Sequence, residues 1–95
     1  MTEQHCGYVY ILKSGRNGTY YTGSTDNLEK RLKRHNGGLV KATRNIRPLT
    51  LMFCQKYDTL PEARRIEYRL KRLKSRKVIE QIINDGCIKM EVTRP

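Results

Sequence analysis

A chain of 95 residues is one domain's worth, and with 37% hydrophobic residues its core must be small and most of its surface charged. Twenty Lys and Arg against nine Asp and Glu give a formal charge of +11, an excess that repels itself and draws polyanions from a distance. These totals leave no room for a second module. They make nucleic acid the first candidate partner and an anionic membrane surface the second.

In chain order, Met1-Thr2-Glu3-Gln4-His5 lacks both the basic and the apolar region of a secretory signal. The longest uncharged apolar stretch, Gly7 to Leu12, is far too short to span a bilayer, so a membrane role is set aside. Tyr8-Val9-Tyr10-Ile11-Leu12 is β-branched and aromatic and predicts a strand buried on both faces. Ser14 to Gly18 breaks it, with Asn17-Gly18 suited to a hairpin turn, and Thr19 to Thr22 returns as an antiparallel partner that stops at Gly23. Asp26 and Glu29 are spaced as a capping box for a helix carrying Leu28 and Leu32 inward, Arg31 and His35 beside them, and Asn36-Gly37-Gly38 as its stop.

Leu39 to Pro48 is a basic, irregular connection. Leu49 to Cys54 predicts a third strand with Leu49, Leu51 and Phe53 on one face. Thr59 and Glu62 make a second capping box, with Pro61 in the first turn. Ala63, Ile66, Leu70 and Leu73 then recur at helical spacing. After a break near Lys74-Ser75-Arg76, Val78, Ile79, Ile82 and Ile83 mark a further helix. Residues 1–85 are expected to form one domain and residues 86–95 a tail. The predicted architecture is α+β: a three-stranded antiparallel sheet flanked by helices, in the order β-β-α-β-α-α.

Cys6, Cys54 and Cys87 are odd in number and widely spaced, which suggests neither a disulfide framework nor a zinc knuckle. They read as free thiols of a cytoplasmic protein, with Cys54 expected in the core. The basic residues are clustered rather than mixed with acids. Seven lie between Lys30 and Arg47 with no acid, and eight between Arg64 and Lys77 with Glu67 alone opposing them. Lys30, Lys33, Arg34, Lys41, Arg44, Arg64 and Arg69 are therefore candidate backbone contacts for nucleic acid.

Cutting a polynucleotide requires charge stabilisation at a pentacoordinate phosphate, an activated water and a protected leaving oxygen. Divalent metal held by carboxylate, with arginine at the phosphate, is the usual apparatus. Acids are scarce here, so a single-metal scheme through Glu67 is the version the composition allows. Each candidate also has a plainer reading. Glu67 could form a helix ion pair with Lys71, Arg31 could be one more solvated arginine, Tyr10 and Tyr21 could be core aromatics, and His35 could complement a helix end.

Taken together, Tyr8-Val9-Tyr10, then Tyr21-Thr22-Gly23, then the helix of Arg31 and the helix of Glu67 resemble the GIY-YIG nuclease superfamily and its small stand-alone bacterial members. The likeness runs from about Gly7 to Ile83. It implies that Tyr10 and Tyr21 place and polarise the attacking water, that Arg31 binds the scissile phosphate, and that Glu67 holds one Mg²⁺ or Mn²⁺ ion. It also implies close backbone approach to substrate at Gly23 and an auxiliary role for His35. Arg31 and the metal are expected to favour a tyrosine phenolate. Two positions depart from the pattern: Ser24 stands where some relatives carry lysine, and Val78-Ile79-Glu80 where many carry asparagine. The implied function is metal-dependent hydrolysis of phosphodiester bonds in DNA. The alternatives are a non-catalytic nucleic-acid-binding domain on the same fold, and a protein-interaction domain whose charge is incidental.

Overall fold

The computed structural model describes residues 6–90. Its elements are β1 (Gly7–Ser14), β2 (Tyr20–Thr25), α1 (Leu28–Asn36), a 3-10 turn (Arg44–Ile46), β3 (Leu49–Tyr57), α2 (Leu60–Leu73) and α3 (Arg76–Asp85). The strands form one antiparallel sheet in the order β2-β1-β3, as the sequence pattern predicts. The central position of β1 explains its composition, because Val9 through Leu12 are all fully buried between helices on both faces.

Val9 and Ile11 point to the α2–α3 side, where they join Phe53, Tyr57, Ala63, Ile66, Leu70, Ile79 and Ile82 in the main core. Tyr10 and Leu12 point the other way, with Leu49, toward Leu28 and Leu32 of α1. The hairpin between β1 and β2 closes as expected, with Gly18 at φ +75° donating its N–H to the Ser14 carbonyl at 3.0 Å. Gly7 allows α2 to lie against the start of β1, since a Cβ there would come within 2.6 Å of the Leu60 Cα.

Several expectations need correction. The first helix is capped by Asn27, whose side chain accepts from the Lys30 N–H at 3.1 Å, and not by Asp26. The cause is β2, which continues through Gly23 to Thr25 and delays the helix start. Leu49, Leu51 and Phe53 do not share a face. The register slips by one residue between Ile11 and Leu12, so that Phe53 pairs with Ile11 but Leu51 pairs with Leu12. Phe53 therefore enters the main core, Leu49 the opposite one, and Leu51 stays exposed.

Cys54 is exposed rather than buried. It pairs with Tyr10 on the α1 face, and the nine residues of α1 are too few to cover β3 there. Leu73 is exposed at the end of an otherwise buried stripe. The stretch read as the beginning of a tail is packed, because Ile88 is buried in the main core and its N–H donates to the Gln55 side chain at 2.8 Å. Residues 91–95 lie outside the described part.

The helix break falls where the sequence suggested. Lys74 takes a left-handed conformation, and Ser75 starts α3 by accepting from the Val78 N–H at 3.2 Å. Among the described residues, no helix is long and apolar enough to cross a membrane.

Candidate active site

Directly paired residues of an antiparallel sheet share a face, so Tyr10 with Gly23 and Leu12 with Tyr21 put both tyrosines on the α1 side. On α1, Arg31 and His35 are one turn apart and project toward them. The Tyr10 hydroxyl lies 2.9 Å from His35 Nε2 and accepts from Arg31 Nε at 3.4 Å. His35 Nδ1 lies 2.7 Å from the Thr43 hydroxyl. Tyr21 meets the His35 ring edge-on, with centroids 5.2 Å apart.

Two side-chain anchors hold this arrangement. Asn36 grips both the N–H and the carbonyl of Leu49, tying the end of α1 to β3. Ser14 donates to the Ile46 carbonyl at 2.6 Å, fastening the connection that carries Thr43.

Glu67 approaches from the other face of the sheet. It half-emerges from α2 beside the β2 edge, where Ser24 donates its hydroxyl to Oε1. Lys71 lies 2.6 Å from Oε2 and also sits 5.3 Å over the Tyr21 ring. The plainer sequence reading of Glu67, an ion pair with Lys71, is therefore present in the structure. So is its proximity to the other candidates, since its charge favours the Arg31 cation and its partner Lys71 lies over the Tyr21 ring. The cluster straddles β2, with Arg31, Tyr10 and His35 on one side and Glu67 and Lys71 on the other. A strand at the sheet edge allows this, because no neighbour blocks passage around it.

Burial raises the Tyr10 phenol above its ordinary value, and this outweighs the opposing pull of Arg31. Arg31 alone therefore does not favour a phenolate at Tyr10, whose side chain is fully enclosed. Burial also lowers His35 to about 4, with the Arg31 cation adding to the effect, so the imidazole is neutral at physiological pH. A neutral ring donates through one nitrogen and accepts through the other. The Tyr10 and Thr43 hydroxyls can each do either, so the chain Tyr10–His35–Thr43 is satisfied in both directions.

Gly23 packs against Tyr10. A Cβ on it would collide with the phenol of Tyr10, so its missing side chain makes room for an internal residue. Lys30, Lys33, Arg34, Lys41, Arg44 and Arg64 are all exposed. Arg64 shares a helical stripe with Glu67 and Lys71. Arg69 does not, and instead lines a cleft with Val78, Ile82, Ile88 and Met90. Sequence reasoning missed Thr43, which no local pattern distinguishes, and treated Ser24 only as a departure. Lys71 was visible, but only as the partner of Glu67.

Among the described residues, no three His, Cys, Asp or Glu side chains converge as a metal cage. One partly exposed carboxylate beside a hydroxyl nevertheless fits an ion such as Mg²⁺, which keeps several waters and takes further oxygens from a phosphate. Lys71 would have to yield Oε2 to it.

Comparison with known proteins shows the family. The profile of the GIY-YIG catalytic domain matches residues 6–80. A UPF0213 protein of Clostridium perfringens is 41% identical over 85 residues, covering 88% of this chain and 89% of the relative. One from Bacillus licheniformis is 43% identical over 84 residues, covering 87% and 84%. The solution NMR structure of a UPF0213 protein from Bacillus halodurans superposes with a TM-score of 0.53 at 38% identity, over 83% of each chain. With the two tyrosines, the arginine helix and the glutamate helix gathered around one edge strand, the chain belongs to the GIY-YIG nuclease family, among its small UPF0213 members.

Proposed function

We propose that the chain is a divalent-metal-dependent endonuclease that hydrolyses phosphodiester bonds in DNA. The observation that carries this reading is the convergence of Glu67 with Arg31 and both phenols from opposite faces of the sheet. A half-buried carboxylate that Ser24 holds near a guanidinium and two phenols is the kind of coupled titratable group that functional sites gather.

In this reading Arg31 binds the scissile phosphate and offsets the charge that grows on it. Tyr10, enclosed and bonded to both Arg31 and His35, holds the guanidinium in position. Tyr21 is the more open phenol and orients the attacking water, with His35 fixing its ring from the edge. Glu67 and Ser24 would hold the metal. When bound there, Mg²⁺ or Mn²⁺ supplies Lewis acidity to the leaving oxygen. The exposed Lys30, Lys33, Arg34, Lys41, Arg44 and Arg64 draw the backbone in by counterion release.

The second reading is a nucleic-acid-binding domain without cleavage. It is favoured by the Lys71–Glu67 contact of 2.6 Å, which already neutralises the carboxylate.

A nicking assay with Mg²⁺ and Mn²⁺ on duplex, single-stranded and branched DNA separates them. Cleavage should require the ion, stop on chelation, and disappear in Glu67→Gln. Arg31→Ala should slow it by roughly a hundredfold. Cleavage that survives in Glu67→Gln would sink the site assignment, and binding without cleavage throughout would establish the second reading.

A further inference from the structure

From Tyr21 and Lys71, a groove of about 380 Å³ follows β2 to the elbow between α2 and α3. Tyr20, Tyr21, Lys71, Lys74 and Arg76 line it, with no acidic residue among the lining side chains. The proposed endonuclease chemistry uses only Tyr21 of this groove, beside Lys71, the partner of Glu67, and leaves the rest of it without a task.

Two features of the far end exceed what folding needs. The first is Arg76, which makes three contacts although its side chain is 54% exposed. Its guanidinium lies 4.6 Å over the Tyr20 ring, Nη1 donates to the Gly18 carbonyl at 3.0 Å, and Nε is 3.7 Å from Glu80. A flat cation held against a ring offers its other face to a base.

The second feature is Lys74. At φ +47° it is the one non-glycine residue with positive φ among those described. It occupies the left-handed position that ends α2, where glycine is the unstrained choice. The same chain uses glycine for that purpose at the end of α3, where Gly86 has φ +75°. A lysine retained in strain beside a basic groove points to a use for its side chain.

We infer that the groove is a subsite for an unpaired nucleic-acid strand that flanks the scissile phosphate. Lys71 and Lys74 take its phosphates, and a base stacks on Arg76 backed by Tyr20. Cations combined with a stacking platform suit single strands, whose bases are free to turn outward, and a groove of this size accepts nucleotides one at a time rather than a double helix. The assignment rests on the proposed function for the location of the scissile phosphate.

The test measures fluorescence anisotropy, without metal, of a 5′-labelled single strand and a blunt hairpin duplex of about equal charge. The proteins compared are the parent, Lys74→Gly and Arg76→Ala. At least one variant should lower the ratio of single-strand to duplex affinity by roughly tenfold. The salt slope on the single strand should also become shallower by about 0.7 for Lys74→Gly. Lys74→Gly should raise Tm, because it relieves the backbone, so its weaker binding would not reflect unfolding. An unchanged affinity ratio in both variants, or no single-strand binding by the parent, would overturn the subsite. Since binding is read without metal, failure of the endonuclease reading appears separately, as absent cleavage or as cleavage that Glu67→Gln does not abolish.

Discussion

On the α2–α3 face of the sheet the buried set from Val9 to Ile88 is mostly apolar, with Thr22 among it, whereas on the α1 face Tyr10, Leu12 and Leu49 share their interior with His35 and Thr43. The first face is held by area removed from water, which is non-directional and indifferent to pH. The second is held by a chain of hydrogen bonds that must be complete, because a buried polar group without a partner is destabilising. It is complete: among the described residues no buried side-chain nitrogen or oxygen lacks a partner. The difference teaches where chemistry can be housed in so small a domain. The apolar face supplies rigidity, and the polar face supplies oriented donors and acceptors, with the two meeting around β2, where Lys71 links Glu67 to the Tyr21 ring.

The contrast can be broken at either face. Truncating Ile66, fully buried on the apolar side, to alanine should destabilise the fold by about 2–5 kcal/mol in urea unfolding. A loss below about 1 kcal/mol would mean that this face is not the main support.

On the polar face, His35 is held near 4 while the unfolded chain titrates near 6.5. The unfolded state therefore binds more protons across that window, and stability should fall as pH drops from about 6.5 toward 4. The His35 contribution is on the order of 3 kcal/mol. A pH series of urea midpoints checks this, and His35→Gln should flatten the slope relative to the parent. Ile66→Ala should leave the slope as it is, so an equal change in both variants would contradict the division.

Smaller effects sharpen the same comparison. Gly23→Ala forces the Tyr10 phenol to move and should lower stability by about 1–3 kcal/mol in a thermal melt. If it melts with the parent, the close packing of Tyr10 on β2 is not a constraint. Thr43→Val leaves one His35 nitrogen without its partner and should reduce stability by about 1–2 kcal/mol. A neutral result there would show that the histidine finds another partner, most simply water.

Much of the architecture was legible because its causes are local. The Thr59 cap accepting from Glu62, the helix break at Lys74-Ser75 and the turn at Gly18 depend on residues only a few positions apart, and all appear as read. Helical spacing also anticipated Ala63, Ile66 and Leu70 as buried, and placed Arg31 and His35 on one face. The type and order of the candidate site residues were legible only as a resemblance, since singly each had a plainer explanation.

What the sequence by itself determined, then, is the element order, the Thr59 cap and the hairpin turn, the two basic clusters and the family to which they point, because these follow from short-range geometry and composition. Tertiary structure alone decided the rest. The slip between Ile11 and Leu12 divided β3 between two cores, and the docking of Ile88 turned an expected tail into core. The bond from Ser24 to Glu67 and the close fit of Gly23 to Tyr10 join residues far apart in the chain or across strands. Burial then set Tyr10 and His35 against their ordinary protonation behaviour. Pairwise contacts across a sheet edge and the loss of solvent at a buried ring have no signature in local spacing, so they become readable only when the chain is folded.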